Sequence, residues 1–310
     1  MTILVTGGAG FVGSHLVDAL VEAGHRMVVV DDLTTGKADQ VHSQATFYKL
    51  SVLDPALQEV FAAKRPEAVY HLAAQTDVVT SLDDPVSDAR INILGALEVL
   101  EACRRYGVRK FIYSSSTAIF EDTDKMPLAE DHPVAPMTHY GVSKHTVEHY
   151  LDIYARLYGI SYVCLRYGNV YGPRQDPHLE GGVVAIFIHS LLSGQVAVIY
   201  GDGEQTRDFI YVADVVEANR LALASGENIT CHLAWGRETS INELYRLIAD
   251  RVGNEKRSPR YAPARQGEMR RLVLDASAAR RALDWAPRVS LEEGLDRAVA
   301  YHRSLRSASV

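Results

Sequence analysis

Three stretches of the chain carry residue types whose spacing can do chemistry. The first is Thr6-Gly7-Gly8-Ala9-Gly10-Phe11-Val12-Gly13, with glycines spaced between an apolar run and a helical pattern. In such a turn Gly7 permits the tight bend, Gly10 lets the backbone approach a pyrophosphate, and Gly13 lets the helix pack close to a sheet. The free helix N–H groups would meet the anion. The next apolar run, Val28-Val29-Val30, ends in Asp31-Asp32. That places a carboxylate about 20 residues on, where it can bind a ribose 2′-hydroxyl. An acid there repels a 2′-phosphate, so Asp31 favours NAD over NADP; its plainer reading is a solvated strand end. The second stretch is Ser114-Ser115-Ser116-Thr117, hydroxyls at the end of an apolar run. At the carboxyl end of a central parallel strand they would lie in the ligand crevice, although serines also simply end strands. The third is Tyr140 and Lys144, four apart at a helix start and so on one face. By itself that spacing is usually accidental.

These groups need elements to position them. Short β-branched runs, Ile3 to Val5, Met27 to Val30, Ala68 to His71, Lys110 to Tyr113 and Tyr162 to Leu165, read as buried parallel strands. Between them, Ser14 to Glu22, Pro85 to Tyr106 and Gly141 to Tyr158 carry apolar residues at helical spacing. The alternation predicts an α/β fold, a doubly wound (Rossmann-type) parallel sheet built from right-handed crossovers. After about Arg166 the pattern loosens into shorter elements between Gly/Pro/Asp turns. We therefore expect a dinucleotide-binding domain over 1–166 and a smaller, mainly substrate-binding part over 167–310, with some segments returning to the first. The polar residues from about Ser304 read as a frayed tail.

With 310 residues the chain makes one large domain or two ordinary ones, at roughly 150 residues per domain. Hydrophobic residues are 47% and charged residues 23%, which excludes disordered, collagen-like and coiled-coil classes. Lys and Arg number 32 against 39 Asp and Glu, a net charge of −7 with no basic stripe, so nucleic acid is not an expected partner. Cys103, Cys164 and Cys231 stand far apart and read as buried thiols of a cytoplasmic protein. The start, Met1-Thr2-Ile3-Leu4-Val5, lacks the basic residues of a signal peptide. The longest apolar stretch, Gly181 to Leu192, is broken by His189 and is too short for a membrane span.

Taken together, several motifs resemble the extended short-chain dehydrogenase/reductase family. They are Thr6 to Gly13, His71-Leu72-Ala73-Ala74-Gln75, Asn92, Ser114 to Thr117, Tyr140-Gly141-Val142-Ser143-Lys144, the run Arg166 to Asp176, and Gly201 to Asp208. Gly182-Val183-Val184-Ala185-Ile186-Phe187 is similar to the nucleotide-sugar 4-epimerases of that family. The resemblance implies an isomerase that holds NAD and a nucleotide sugar, with UDP-glucose and UDP-galactose expected. UDP-N-acetylglucosamine, UDP-glucuronate, or an idle NAD-binding module are the alternatives.

The resemblance implies roles residue by residue. Tyr140 would be the acid/base, Lys144 would bind the nicotinamide ribose, and Ser116 would hydrogen-bond the reacting sugar oxygen. Gly7, Gly10, Phe11, Val12, Gly13, Asp31, Ser51, Val52, Leu72, Ala73, Ala74, Gln75, Asn92, Ser114 and Tyr167 would line the dinucleotide, with Tyr140 and Lys144. Asn169, Val183, Val184, Arg207, Arg265 and Glu268 would hold the substrate, with Ser116 and Tyr140. A phenol of pKa about 10 must fall by about 3 units to act near neutrality, which takes roughly 4 kcal/mol of differential stabilisation. Lys144 and a cationic nicotinamide are the expected sources. Dehydratases and sugar-acid decarboxylases of the family usually carry an Asp or Glu shortly after the strand-end hydroxyls. Here those places hold Thr117 and Ala118.

Some residues depart from the family pattern or point elsewhere. Ser51 replaces an adenine-binding Asp, Phe120-Glu121 replaces Tyr-Gly and removes a hydroxyl near the site, and Gly168 replaces a larger residue and widens the sugar pocket or loosens its turn. Leu272 falls where some members place a bulky residue beside the sugar. His145-Thr146-Val147-Glu148-His149 matches a zinc pattern, but Tyr140 and Lys144 already account for that helix and no metal is expected. His71 reads as a packed core residue. Surplus apolar residues in Ile91 to Tyr106 and Val142 to Tyr158 suggest a homodimer formed by a four-helix bundle.

Overall fold

The computed structural model describes all residues except 180, 181, 255, 256, 266 and 308–310. Gly181 of the long apolar stretch, Gln266 beside Arg265, and the end of the polar tail therefore lie outside the described residues.

The first half alternates strands and helices: β1 (Thr2–Thr6), α1 (Phe11–Glu22), β2 (Arg26–Asp31), β3 (Thr46–Lys49), α2 (Leu57–Lys64), β4 (Ala68–His71), α3 (Val78–Asp83), α4 (Pro85–Ala89), α5 (Gly95–Tyr106), β5 (Lys110–Ser116), α6 (His139–Tyr158) and β6 (Ser161–Tyr167). The second half has shorter pieces: β7 (Asn169–Tyr171), α7 (Val183–Leu192), β8 (Val198–Tyr200), β9 (Thr206–Arg207), β10 (Phe209–Tyr211), α8 (Val212–Ala224), β11 (Ile229–Leu233), β12 (Thr239–Ser240), α9 (Ile241–Val252), β13 (Arg260–Ala262), α10 (Ser277–Leu283) and α11 (Leu291–Ser307).

Seven strands form one sheet in the order β11-β6-β5-β4-β1-β2-β3. Every pairing in it is parallel. Both faces are covered, as the apolar runs require. Ile3 and Val5 of β1 join Leu16, Val17 and Leu20 of α1 on one face, while Leu4 joins Val69, Phe111, Val147 and Leu151 on the other. Strand order reverses between β1 and β4, so a crevice opens past their carboxyl ends. The second half adds three two-stranded ladders, β7 with β10, β9 with β12 and β8 with β13. Its apolar core is continuous with one face of the sheet.

Four features differ from the sequence expectation. β3 is an edge strand exposed at both ends, which gave it little apolar signal. β11 joins the main sheet from the second half, with polar Thr230 and His232 interrupting its apolar pattern. The single helix expected over Pro85 to Tyr106 is broken by a π-turn at Arg90–Leu94 that carries Asn92. The expected fraying from Ser304 is absent through Ser307, which is still helical. The three cysteines are buried and free.

Candidate active site

The glycine turn has the geometry of an anion cradle. Gly7 bends at φ +72°, and a Cβ there would meet the Ala73 backbone nitrogen at 2.6 Å. A Cβ at Gly13 would lie 2.0 Å from the Gly7 carbonyl oxygen, so the turn and α1 touch backbone to backbone. At Gly10, by contrast, the only neighbour would be Gly7 O at 3.3 Å. Gly10 caps α1 without any side-chain hydrogen bond, and Phe11 and Val12 form the helix's first turn with their N–H groups at the cradle. Asp31 ends β2 beside it: its carboxylate accepts from Ala9 N at 3.0 Å and Leu33 N at 2.9 Å, and burial pushes its pKa up.

The wall opposite is the segment after β4. Leu72 N donates to Thr6 O at 3.1 Å and Ala73 N to Thr6 Oγ1 at 3.3 Å, with Ala74 and Gln75 following half-buried. Asn92 is buried and fully engaged. It accepts from Gln75 N at 2.8 Å and donates to Gln75 O, Asp88 Oδ1 and Ser143 Oγ. Its amide therefore shapes the wall from behind. Asp88, which the sequence reading passed over, is buried on α4 and also accepts from Gln75 Nε2 at 3.1 Å. Ser51 Oγ caps Leu53 N at 3.3 Å, and Val52 packs under Gly95. His71 is the packed histidine expected: Thr6 Oγ1 lies 2.8 Å from its Nδ1, and burial lowers its pKa to about 3.

The catalytic candidates lie where β5 meets α6. Thr138 caps the helix through Gly141 N at 3.2 Å, so Tyr140 stands in the first turn with Lys144 one turn on. The Ser116 hydroxyl, which accepts from Ala118 N at 3.2 Å, faces the Tyr140 hydroxyl closely enough to favour its phenolate. Lys144 Nζ donates to the Ser114 carbonyl at 2.7 Å and sits 6.0 Å from the Tyr140 ring centre. Ser114 Oγ in turn donates to His71 O at 3.2 Å, joining β5 to β4. Tyr167 pairs with Ser116 in register, but its hydroxyl is held by Asn219.

The charge state differs from the expectation. Burial pushes Tyr140 up to about 12, with the Ser116 hydroxyl acting in the opposite direction. Lys144 is itself lowered to about 8 by burial, against the carboxylates of Asp88 and Glu148. An ammonium bonded to a carbonyl 6.0 Å from the ring centre does not offset the desolvation of a phenolate.

The candidate substrate residues come from the second half. Asn169 begins β7, and its N–H donates to Asp208 O at 2.8 Å. Arg207 is half-buried and paired: Nη2 donates to Glu268 Oε1 at 2.7 Å, and Nη1 to the Thr206 and Met269 carbonyls. Gly267 brings this segment against α6, since a Cβ there would lie 3.1 Å from Thr138 Cγ2. Arg265 is stacked 4.1 Å above the Tyr200 ring. Val183 and Val184 open α7, and the Val184 side chain is buried in the core, which leaves its backbone alone to meet a ligand.

Three departures from the family pattern have different consequences than expected. Phe120 is fully buried with Leu128, Leu272 and Leu274, edge-on to His132 and His232. Both Phe120 and Leu272 are buried in this apolar cluster. Gly168 does not widen a pocket: a Cβ there would press on Asp208 O at 2.9 Å. Glu148 of the zinc-like pattern is engaged by Arg166, Ser115 and His145.

Residues 3–233 match the model of the NAD dependent epimerase/dehydratase family. The chain is 42% identical over 311 residues to a UDP-glucose 4-epimerase of Mycolicibacterium smegmatis, covering 98% of this chain and 99% of that one. Its structure resembles that of UDP-glucose 4-epimerase from Thermotoga maritima with UDP-glucose, with a TM-score of 0.97, 46% identity and coverage of 99% and 100%. It also resembles the Thermus thermophilus UDP-glucose 4-epimerase complex with NAD, with a TM-score of 0.93, 40% identity and coverage of 98% and 99%. The chain belongs to the NAD dependent epimerase/dehydratase family.

Proposed function

We propose that the protein is an NAD-dependent isomerase that interconverts UDP-glucose and UDP-galactose by inverting C4 of the sugar. The observation that carries this reading is that Ser116, Tyr140 and Lys144 are gathered beside a cradle that only glycine allows. The 42–46% relatives cited above, one solved with UDP-glucose, support the choice of sugar.

The residues fit the dinucleotide. Gly7, Gly10 and Gly13 with the α1 N-terminus would hold its pyrophosphate, Asp31 an adenosine ribose, the Leu72 to Gln75 wall its middle, and Lys144 the nicotinamide ribose. Bound there, NAD supplies a reversible hydride acceptor and a positive charge near Tyr140. Tyr140 removes the proton of the C4 hydroxyl, and Ser116 holds the same oxygen and shares the proton path. Lys144 would fix the ribose hydroxyls, and the charge that lowers the phenol would come mainly from the bound dinucleotide. The C4 hydrogen would leave as hydride to the dinucleotide and return to the other face of C4 once the 4-keto sugar has turned, while Tyr140 returns the proton to the C4 oxygen. One acid/base position suffices. Thr117 and Ala118 supply no second one, and the Asp122 carboxylate is already taken by the Arg270 and Arg271 N–H groups.

The second half holds the nucleotide end. Arg207 and Arg265 would neutralise the diphosphate, with Asn169, Glu268 and the N–H groups of Val183 and Val184 on the remaining polar atoms. No described helix is long and apolar enough to cross a membrane, and the reading places the enzyme in the cytoplasm. Val86, Leu94, Leu157 and Tyr158 are 70%, 51%, 68% and 48% exposed on the α4–α5 and α6 surfaces, and we assign them to a homodimer interface. Light scattering of wild type against Leu157→Glu would show a dimer turning into a monomer; two identical monomers would refute it.

The test is incubation of the purified protein with UDP-galactose and no added cofactor, with products resolved by chromatography. UDP-glucose is the expected product. Failure on UDP-galactose with NAD added, but turnover of UDP-N-acetylglucosamine or UDP-glucuronate, would overturn the sugar assignment.

A further inference from the structure

The last three residues of β5 meet three side chains of α6 at successive turns. Ser116 faces the Tyr140 hydroxyl, and the Ser114 carbonyl accepts from Lys144 Nζ at 2.7 Å. The third contact lies outside the chemistry: Ser115 Oγ donates to Glu148 Oε1 at 2.6 Å. Tyr140, Lys144 and Glu148 follow at four-residue steps and share one face. Ser115 is also the register partner of Arg166 on β6. Arg166 grips the same carboxylate from that side, Nε to Oε1 at 3.0 Å and Nη2 to Oε2 at 2.7 Å. The Glu148 and Arg166 side chains are 8% and 7% exposed. Burial opposes the charge on Glu148, but bonds from His145, Arg166 and Ser115 hold its pKa at about 2.

Apolar adhesion of α6 to the sheet is already supplied by Val147, Leu151 and Tyr154. A fixed carboxylate adds direction, because its two oxygens tie β5, β6 and α6 at one register. We propose that Glu148 is a positioning residue which, acting through Ser115, sets β5 against α6 so that the Ser116 and Tyr140 hydroxyls meet. Its rate readout rests on the epimerase reading above.

The groups facing Tyr140 are Ser116 from β5, Lys144 on α6 and Asp88 from α4. Of these, the Ser116 contact favours the phenolate. Weakening it raises the Tyr140 pKa and moves the limb of the rate profile that depends on phenolate to higher pH.

Glu148→Gln leaves the buried Arg166 without its counter-charge and endangers folding, so Ser115→Ala is the main variant. It removes the hydroxyl donor and keeps the ion pair. For UDP-galactose, kcat should fall between about ten- and a hundredfold. KM should stay within about twofold, since only the reacting geometry changes. The pH limb should rise, and Ser115→Thr, which restores the hydroxyl, should recover both. Leu151→Ala, a core truncation on the same helix, should lower thermal stability without moving kcat or the limb. Crystal structures should keep the Ser116–Tyr140 contact in wild type and lose it in Ser115→Ala. Unchanged kcat and limb in Ser115→Ala, or an intact Ser116–Tyr140 contact in its crystal, would overturn the proposal. A wild type inactive on every nucleotide sugar would instead refute the epimerase reading, and the crystallographic comparison would still decide this one.

Discussion

The two halves of the candidate site are built in opposite ways. In the dinucleotide half, backbone meets backbone: Gly7 touches Ala73, Gly13 touches Gly7, and the strand ends are tied through Thr6, His71 and Ser114. In the nucleotide-sugar half, charged side chains satisfy one another, as Arg207 does with Glu268. The first can hold a cofactor through many turnovers because nothing in it has to move. The second must exchange its internal partners for substrate, and a keto sugar must turn beside it. On the proposed function, the difference would assign retention to one half and exchange to the other.

Four changes would break or sharpen that contrast. Tyr140→Phe removes the proton carrier and should lower kcat by about 10²–10⁴-fold while NAD stays bound, read by turnover and by cofactor released on denaturation. Gly13→Ala drives a methyl toward the Gly7 carbonyl, 2.0 Å from the ideal Cβ position. It should leave purified protein without NAD and with a lower melting temperature, measured by absorbance and calorimetry. Acid should also act on the rigid half. Glu148 has a pKa of about 2 in place of 4.5, so it contributes about 3 kcal/mol above pH 4.5 that is lost as pH falls toward 2. His71 is lowered from 6.5 to about 3, and the unfolded chain takes that proton first, so stability already declines below pH 6.5. Urea unfolding across this window should show the fall. Arg207→Met should have the smallest effect, raising KM for the UDP-sugar by about tenfold, a loss of about 1.4 kcal/mol, with bound NAD unchanged.

The contrast also explains what was legible in the sequence. Gly7, Gly10 and Gly13 could be read because a backbone-to-backbone turn tolerates little else, and Asp31 because it ends a continuous apolar strand. Tyr140 and Lys144 gained meaning only through the family resemblance that the Ser114 to Thr117 strand end and the other motifs carry together. Positions whose role depends on distant packing were not legible. Phe120 and Leu272 are apolar wherever they point, and only the fold shows that they point into the core. Gly168 answers to a carbonyl forty residues away. Asp88 looks like a surface helix acid until Gln75 and Asn92 are seen to close over it. Glu148 was hidden by the two histidines around it, although its four-residue step from Lys144 was the available signal. The pairing of Arg207 with Glu268 joins two chain segments that no local pattern connects.

The central claim is that hydrogen leaves C4 of the sugar and returns to the same carbon without passing through water. UDP-galactose carrying deuterium at C4, incubated with the protein in ordinary water, tests this directly. UDP-glucose with the deuterium retained at C4 is expected. UDP-glucose with that label lost to solvent would contradict it.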